Sequence, residues 1–227
     1  MFIKICGITN EEDALLAVAV GADAVGFVFA PSSRQVAATR VSEIVRRLPP
    51  DVLTVGVFRN ELPERVISVI NSTGLMAAQL HGFESPSQVQ QVKEEVRTVF
   101  KAVTAGSDSF QDAASFGADA VLVDSAEPGS GEVFDWQMAE NAPQGVPLIL
   151  AGGLTPDNVV GAIGKVQPWG VDVSSGVERS PGIKDPILVR AFVEAARTTE
   201  SMQKAEDTEV NVFRDEPYNW EEDSTWR

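Results

Sequence analysis

The 227-residue chain is poor in the residues that build disulfides and transition-metal sites, because it has one cysteine, Cys6, and one histidine, His81. A lone cysteine cannot form an internal disulfide. A zinc site usually takes four Cys or His ligands, or three plus water, and the chain has no CxxC motif. We therefore expect neither a disulfide framework nor a protein-held metal.

Basic residues and long apolar runs are also scarce. Eighteen Lys and Arg stand against 33 Asp and Glu, so the formal charge is −15 and repels phosphate backbones and anionic lipid headgroups. The least polar stretch, residues 14–30, is interrupted by Gly21, Asp23 and Gly26 and is too short for a membrane span. The N-terminus lacks the pattern of a secretion signal. We expect a reduced cytoplasmic protein that binds neither nucleic acid nor membranes.

What the chain does have, over its first 196 residues, is a repeated alternation of short apolar runs with longer amphipathic stretches, which is typical of βα units. Eight runs are predicted to be strands: Phe2–Ile5, Ala24–Phe29, Val52–Phe58, Ala77–Leu80, Thr98–Val103, Ala120–Val123, Leu148–Leu150 and Val171–Val173. Eight such units predict an α/β fold, a single (β/α)₈ TIM barrel. A doubly wound open sheet is the alternative, but the first strand lacks a following G-x-G-x-x-G turn.

Several helix starts and one helix end are marked by capping residues. Thr9 with Glu12 has the pattern of a capping box. Ser85-Pro86 and Thr155-Pro156 each place a hydroxyl before a proline at the first helical position. The segment PERVISVINSTG predicts an amphipathic helix that ends at Gly74.

The composition changes at Glu200. Residues 200–227 contain three basic and nine acidic residues and show no clean periodicity, so we divide the chain into a barrel domain, 1–199, and an acidic tail, 200–227. The tail also contains four aromatic residues that are unusual in a purely solvated segment: Phe213, Tyr218, Trp220 and Trp226. It is either solvated and mobile or docked on the barrel exterior or a partner.

The loops after strands seven and eight carry a candidate phosphate site. Gly152 and Gly153 allow backbone N–H groups to approach an anion closely, and Ser174, Ser175 and Gly176 add hydroxyls and further amides. Phosphate-binding barrels hold their phosphate at these two loops. A simple strand-to-helix turn is the alternative interpretation of the glycine pair.

Cys6 and Asp124 lie at the ends of strands one and six, where a barrel builds its active site. Alone, Cys6 could be a small buried hydrophobic residue and Asp124 a loop-ordering one. Together they could act as base and acid on a substrate without a cofactor. A free thiol has a pKa near 8.5 and a free carboxyl one near 3.9, so the pair needs shifted values or small active fractions.

Each of the other polar residues near these strand ends has two interpretations, one functional and one structural. Arg34 offers a planar fork for a carboxylate, or is a surface arginine. His81 either lines the site or is structural. Lys4 and Asp172 fall on the inward faces of strands one and eight, which are neighbours in a closed barrel, so we expect an internal ion pair.

These residues fall in segments that resemble the phosphoribosylanthranilate isomerase family. The resemblance covers nearly all of residues 1–196 and none of the tail. The matching segments are KICGIT (4–9), GFVFAPSSRQV (26–36), QLHG (79–82), VDS (123–125), FDW (134–136), LAGGLTPDNV (150–159), and GVDVSSGVE with PGIKD within 170–185. One departure follows Asp124, where Pro128 replaces the first glycine of the family's loop.

The resemblance implies an Amadori rearrangement of N-(5-phosphoribosyl)anthranilate to 1-(2-carboxyphenylamino)-1-deoxyribulose 5-phosphate, with no cofactor or metal. It assigns Cys6 as general base, Asp124 as general acid and Arg34 to the anthranilate carboxylate. It assigns the loops at 152–153 and 174–176 to the phosphate, and it places His81 in the site lining. The expected partner is a small phosphorylated substrate, with the enzyme a monomer or homodimer.

Three other functions are weighed against the sequence. A metal-dependent ribulose-phosphate epimerase needs a site with paired histidines, and this chain has only one histidine. The histidine-pathway aldose–ketose isomerase has an aspartate where Cys6 stands. From another class, the chain could be a non-catalytic barrel whose aromatic, acidic tail binds a partner.

Overall fold

The computed structural model of the protein describes residues 1–124 and 145–212, with side chains to residue 199. Eight parallel strands close into a barrel in chain order. They are β1 Phe2–Ile5, β2 Ala24–Val28, β3 Leu53–Phe58, β4 Ala77–Leu80, β5 Thr98–Thr104, β6 Ala120–Asp124, β7 Leu148–Leu150 and β8 Gly170–Val173. No predicted strand end differs from these bounds by more than one residue. The barrel prediction is confirmed, and the open-sheet alternative is wrong.

Helices pack around the outside of the strands. They are α1 Glu11–Ala19, α2 Ala38–Val45, α3 Pro63–Thr73, α4 Pro86–Glu95, α5 Asp108–Gln111, α6 Val159–Val166 and α7 Pro186–Val212. A short antiparallel pair, β9 Glu178–Ser180 and β10 Ile183–Lys184, follows β8. In the described part of the chain, no helix has both the length and the apolar character needed to cross a membrane.

The predicted capping box at Thr9 and Glu12 is wrong. Helix α1 begins one residue later, where the side chain of Asn10 accepts a hydrogen bond from the backbone N–H of Asp13 at 2.9 Å. The Thr9 hydroxyl instead donates to the carbonyl of Gly182, between β9 and β10, at 2.6 Å. The threonine is therefore used in a long-range contact that its local sequence does not reveal.

Of the other predicted helix boundaries, two are confirmed and one is wrong. Ser85 caps α4 in a capping box with Gln88, and α3 ends at Gly74 in the left-handed conformation, as predicted. Helix α6, by contrast, begins only at Val159, not after Thr155. The side chain of Asn158 accepts from the Thr155 backbone N–H at 2.7 Å and so stabilises an additional turn before the helix.

The barrel interior is mostly apolar, with polar side chains on β1 and β8 and at Gln79 on β4. Alternate strand residues point inward. Nine of them form an apolar cluster: Ala24, Val55, Ala77, Phe100, Ala102, Ala120, Leu122, Ile149 and Ala151. Lys4 and Asp172 lie opposite each other in the β1–β8 register, and their side chains form the predicted ion pair at 2.9 Å. A larger apolar core lies between the strands and the helices.

Helix α7 returns to the first strand. Arg197 donates to the carbonyls of Met1 and Gly21 and pairs with Asp23 at 2.7 Å. The helix continues past residue 199 to Val212, so regular structure extends beyond the predicted domain boundary. The aromatic residues of the tail, from Phe213 onward, and the loop containing Pro128 lie outside the described residues.

Candidate active site

A cleft with about 740 Å³ of empty space opens at the carboxyl ends of the strands. Four predicted site residues line it together: Cys6, Arg34, His81 and Asp124. Cys6 follows β1, Arg34 lies in the loop after β2, His81 follows β4, and Asp124 ends β6. Because all strands are parallel, residues distant in sequence meet at one end of the barrel.

On the β1 side of the cleft, Cys6 is buried beside the Lys4–Asp172 ion pair, close enough for the Lys4 ammonium to act on its thiol electrostatically. Gly26 on the neighbouring strand leaves the space that this group needs. A Cβ atom there would lie 2.8 Å from Cys6 Sγ and 3.2 Å from Lys4 Nζ. The absence of a side chain at residue 26 is therefore part of how the thiol and the ammonium are placed.

The protonation of Cys6 is set by opposing effects. Burial raises the pKa of its thiol, the Lys4 ammonium lowers it, and the Asp172 carboxylate raises it again; the net pKa is above the ordinary value. Burial alone would lower the pKa of Lys4, but the charges of Asp172 and Cys6 outweigh it and the net pKa is raised. Lys4 therefore stays charged, and the thiol is mostly protonated at neutral pH in the free protein.

On the opposite side, Asp124 faces His81, with His81 Nε2 3.3 Å from Asp124 Oδ2. The other ring nitrogen, Nδ1, lies 3.0 Å from Nε2 of Gln79. Gln79 and His81 are two residues apart and both face into the barrel, because alternate strand residues share a face. Asp124 itself is 7% exposed.

Arg34 is held by an ionic network that sequence reasoning missed. Its Nε and Nη2 atoms bond to the two carboxylate oxygens of Glu178 at 2.8 and 2.9 Å. Lys184, buried beneath, donates to Glu178 Oε1 and to the carbonyl of Ser174, both at 3.0 Å. Burial raises the pKa of Glu178, but Arg34 and Lys184 outweigh it and hold that pKa below its usual range. Two of the five guanidinium donors are used, so the remainder are left for an anion.

The glycine and serine loops form a second, smaller pocket of about 350 Å³ beside the cleft, and Asp124, Asp172 and Ser174 line both spaces. The predicted residues Gly152, Gly153, Ser174 and Ser175 line the smaller pocket.

Gly152 and Gly153 have φ values of 80° and 65°, which favour glycine. Gly176 packs its Cα against the carbonyl of Leu154, where a Cβ would collide with backbone. The two loops are thereby held in direct contact.

Four charged or amide side chains at the site were not predicted: Arg59, Gln79, Glu178 and Lys184. Gln79 stands on the inward face of β4 with Ala77 and His81, so its alternation with His81 was a usable signal. Glu178 and Lys184 lie in the GVE and PGIKD segments already named. The contact of Glu178 with Arg34 spans 144 residues, and Lys184 joins the network through Glu178. In the described part of the chain, no three His, Cys, Asp or Glu residues are arranged to hold a metal ion.

Comparison with known proteins decides the family. The model of the N-(5'phosphoribosyl)anthranilate (PRA) isomerase family matches residues 3–195. The chain belongs to this family. It is 46% identical over 199 residues to the N-(5'-phosphoribosyl)anthranilate isomerase of Desulforudis audaxviator, a match that covers 86% of this chain and 97% of the relative.

Solved structures of the PRA isomerase family share the fold. The isomerase from Thermus thermophilus superposes with a TM-score of 0.83 at 40% identity and covers 87% of this chain and 99% of its own. A crystal structure of a phosphoribosyl anthranilate isomerase in complex with reduced 1-(o-carboxyphenylamino)-1-deoxyribulose 5-phosphate superposes with a TM-score of 0.77, with 40% identity and the same coverage. That enzyme binds a small phosphorylated ligand.

Proposed function

We propose that this PRA isomerase family member converts N-(5'-phosphoribosyl)anthranilate to 1-(2-carboxyphenylamino)-1-deoxyribulose 5-phosphate, a step of tryptophan biosynthesis. The observation that carries the proposal is one cleft lined by a thiol, a carboxyl group and a guanidinium, Cys6, Asp124 and Arg34, that adjoins the glycine and serine loops. The ligand named for the related crystal structure has a phosphate at one end and a carboxyl group at the other. A cleft with an arginine at one end and backbone amides at the other suits that ligand.

Asp124 acts first, as the general acid. Its protonated carboxyl donates to the ribose ring oxygen while the bond between that oxygen and C1' breaks. The nitrogen lone pair forms a C=N bond, so the product is an open-chain iminium, and Asp124 is left as a carboxylate. His81, 3.3 Å from Asp124 Oδ2, is placed to hydrogen-bond to it during this change.

Cys6 acts second, as the general base. The iminium acidifies the neighbouring C2'–H bond, and the Cys6 thiolate removes that proton. The electrons form an enolamine, which tautomerises to the ketone of the product. Since the pKa of the thiol is raised, the reaction uses the small fraction of enzyme in which Cys6 is ionised, stabilised by the adjacent Lys4 ammonium.

Binding is divided between the two ends of the cleft. Arg34 meets the anthranilate carboxylate with the donors that Glu178 leaves unused, and Glu178 with Lys184 holds the guanidinium in place. The phosphate lies at Gly152 and Gly153 and at residues 174–176. These assignments use only side chains and backbone, so the route proposed here has no cofactor or metal.

The setting of the reaction follows from its chemistry. The base is a free thiol, which must stay reduced, so we propose a cytoplasmic enzyme. The substrate is a small phosphorylated molecule, and we expect no nucleic-acid or membrane partner for so acidic a chain. We propose a monomer or homodimer, with residues 1–199 as the catalytic domain and 200–227 as an acidic tail.

The test is direct turnover. Purified full-length protein is mixed with phosphoribosylanthranilate and the loss of substrate fluorescence is followed. Ribulose 5-phosphate and the aldose substrate of the histidine pathway are tested separately as alternative substrates. Turnover of phosphoribosylanthranilate alone is expected, whereas absence of turnover by folded protein would overturn the proposed function.

A further inference from the structure

Gln79 is a polar side chain that the barrel buries for no evident structural purpose. It is 1% exposed and lies on the inward face of β4, among small apolar residues such as Ala77. Its Nε2 lies 3.0 Å from His81 Nδ1, while its Oε1 is buried and has no hydrogen-bond partner among the described residues. Buried amides are normally satisfied by the scaffold. Here His81 is the one partner that the described side chains offer.

The backbone around His81 is held firmly. Lys101 Nζ donates to the carbonyls of Leu80 and Gly82, at 3.2 and 2.7 Å, and pairs with Glu84 at 2.9 Å. These bonds fix the backbone on both sides of His81, from which the imidazole reaches toward Asp124. The charged groups that face it across the cleft are Asp124 on β6 and Arg59 after β3.

A neutral imidazole has one N–H and one lone pair, and its two neighbours decide which nitrogen carries which. An amide N–H that donates to Nδ1 leaves the proton on Nε2. That N–H then points at Asp124 Oδ2, 3.3 Å away, and stabilises the carboxylate that Asp124 becomes on giving up its proton. If the amide instead presented its oxygen, Nδ1 would carry the proton and Nε2 would offer a lone pair to Asp124.

We propose that Gln79 is a positioning residue that donates to His81 Nδ1 and thereby keeps an N–H of His81 directed at Asp124. The effect on turnover rests on the proposed function, because it requires Asp124 to be the acid. The hydrogen bond between Gln79 and His81 does not, and it is tested separately.

The first experiment uses the fact that His81 is the chain's single histidine, so its two ring nitrogens give unambiguous signals in ¹⁵N NMR. In the full-length wild-type protein at pH 8, we expect Nε2 protonated and Nδ1 unprotonated. Gln79→Leu removes the amide donor, so the Nδ1 signal should shift because it loses its hydrogen bond. Gln35→Leu, which removes an exposed amide outside the cleft, should leave both signals unchanged. A proton on Nδ1 in wild type, or an unchanged Nδ1 signal in Gln79→Leu, would overturn the proposal.

The second experiment is a double-mutant cycle on turnover. Gln79→Leu and Gln79→Glu should lower kcat about tenfold or more and leave KM within about threefold, because Gln79 acts on Asp124 and not on substrate binding. In a His81→Asn background, Gln79→Leu should cause no further loss, since its effect passes through His81. Additive losses would overturn the positioning role. If the wild type shows no turnover at all, the proposed function fails while the NMR result still decides the Gln79 contact.

Discussion

The two sides of the cleft surround Cys6 and Asp124, the proposed base and acid, with different kinds of groups. On the β1 and β8 side, Cys6 lies against full charges, the Lys4 ammonium and the Asp172 carboxylate, joined at 2.9 Å. On the β4 and β6 side, Asp124 faces His81, whose far nitrogen contacts the neutral amide of Gln79. In the proposed mechanism, charges tune the base and the direction of a hydrogen bond tunes the acid.

This difference teaches which changes each side tolerates. Charges act over several ångströms and shift a pKa even when geometry is imperfect. A hydrogen bond weakens steeply once its angle or distance is lost. Removing one charge of the buried Lys4–Asp172 pair leaves the other unpaired, so it should affect stability as well as activity. Changes around Asp124 should affect mainly activity.

Removing either proton-transfer group should have the largest effect. Cys6→Ala and Asp124→Asn should each lower kcat by about 10²- to 10⁴-fold, the usual contribution of one general acid or base. Steady-state kinetics with phosphoribosylanthranilate measures the loss, and circular dichroism checks the fold. A folded variant with near wild-type kcat would remove that residue from the mechanism.

Breaking the charged side should cost stability. Lys4→Met leaves the Asp172 carboxylate buried without its ammonium and should lower the free energy of unfolding by about 3–5 kcal/mol. The double variant Lys4→Met/Asp172→Leu removes both charges and should regain most of that stability but not the activity. Urea denaturation measures the stability of both variants, and steady-state kinetics measures their activity. If the single variant were as stable as wild type, an unpaired Asp172 would cost no stability and this prediction would be wrong.

Arg34→Lys should weaken binding of the anthranilate half about tenfold, because an ammonium cannot reproduce the planar fork that bridges Glu178 and a carboxylate. Isothermal titration with a product analogue measures the affinity. The matched ligand lacks the carboxyl group and should bind both proteins alike. Equal losses for the two ligands would place Arg34 outside the carboxylate site.

The raised pKa of Cys6 should appear in the pH profile of kcat/KM. In the proposed mechanism the active form has a protonated acid and an ionised thiol, so its population is constant between the two pKa values of the pair and falls above the higher one. Burial puts the thiol pKa above its ordinary value, so activity should persist past about pH 8.5 and decline only beyond it. A decline that begins below pH 8 would show that Lys4 outweighs burial.

Deleting residues 200–227 should have the smallest effect. The tail's net charge of −6 would repel a phosphorylated substrate at the mouth of the barrel, so we expect the tail to stay away from it. The truncated protein should keep kcat/KM within a few-fold of the full chain. A hundredfold loss in a folded truncation would mean that the tail reaches the site.

The barrel was predictable because each strand is a short apolar run with its own local signal. The positions of Cys6 and Asp124 then follow, since residues at the ends of parallel strands share one rim. Local rules failed where a long-range partner competed, as when Thr9 bonded to Gly182 instead of capping α1. Glu178 was missed for a related reason, because nothing near residue 178 in sequence indicates Arg34.

The pairing of β1 with β8 has a consequence for synthesis. While the chain emerges from the ribosome, β1 has an unpaired edge until β8 follows it, and the Lys4 ammonium has no Asp172 to bond, because 168 residues separate the two. A nascent or prematurely terminated chain that collapsed around β1 would bury a lone cation, which is costly. The ion pair thus favours closure of complete barrels and penalises closure of unfinished ones, at the same place where it later lies beside Cys6.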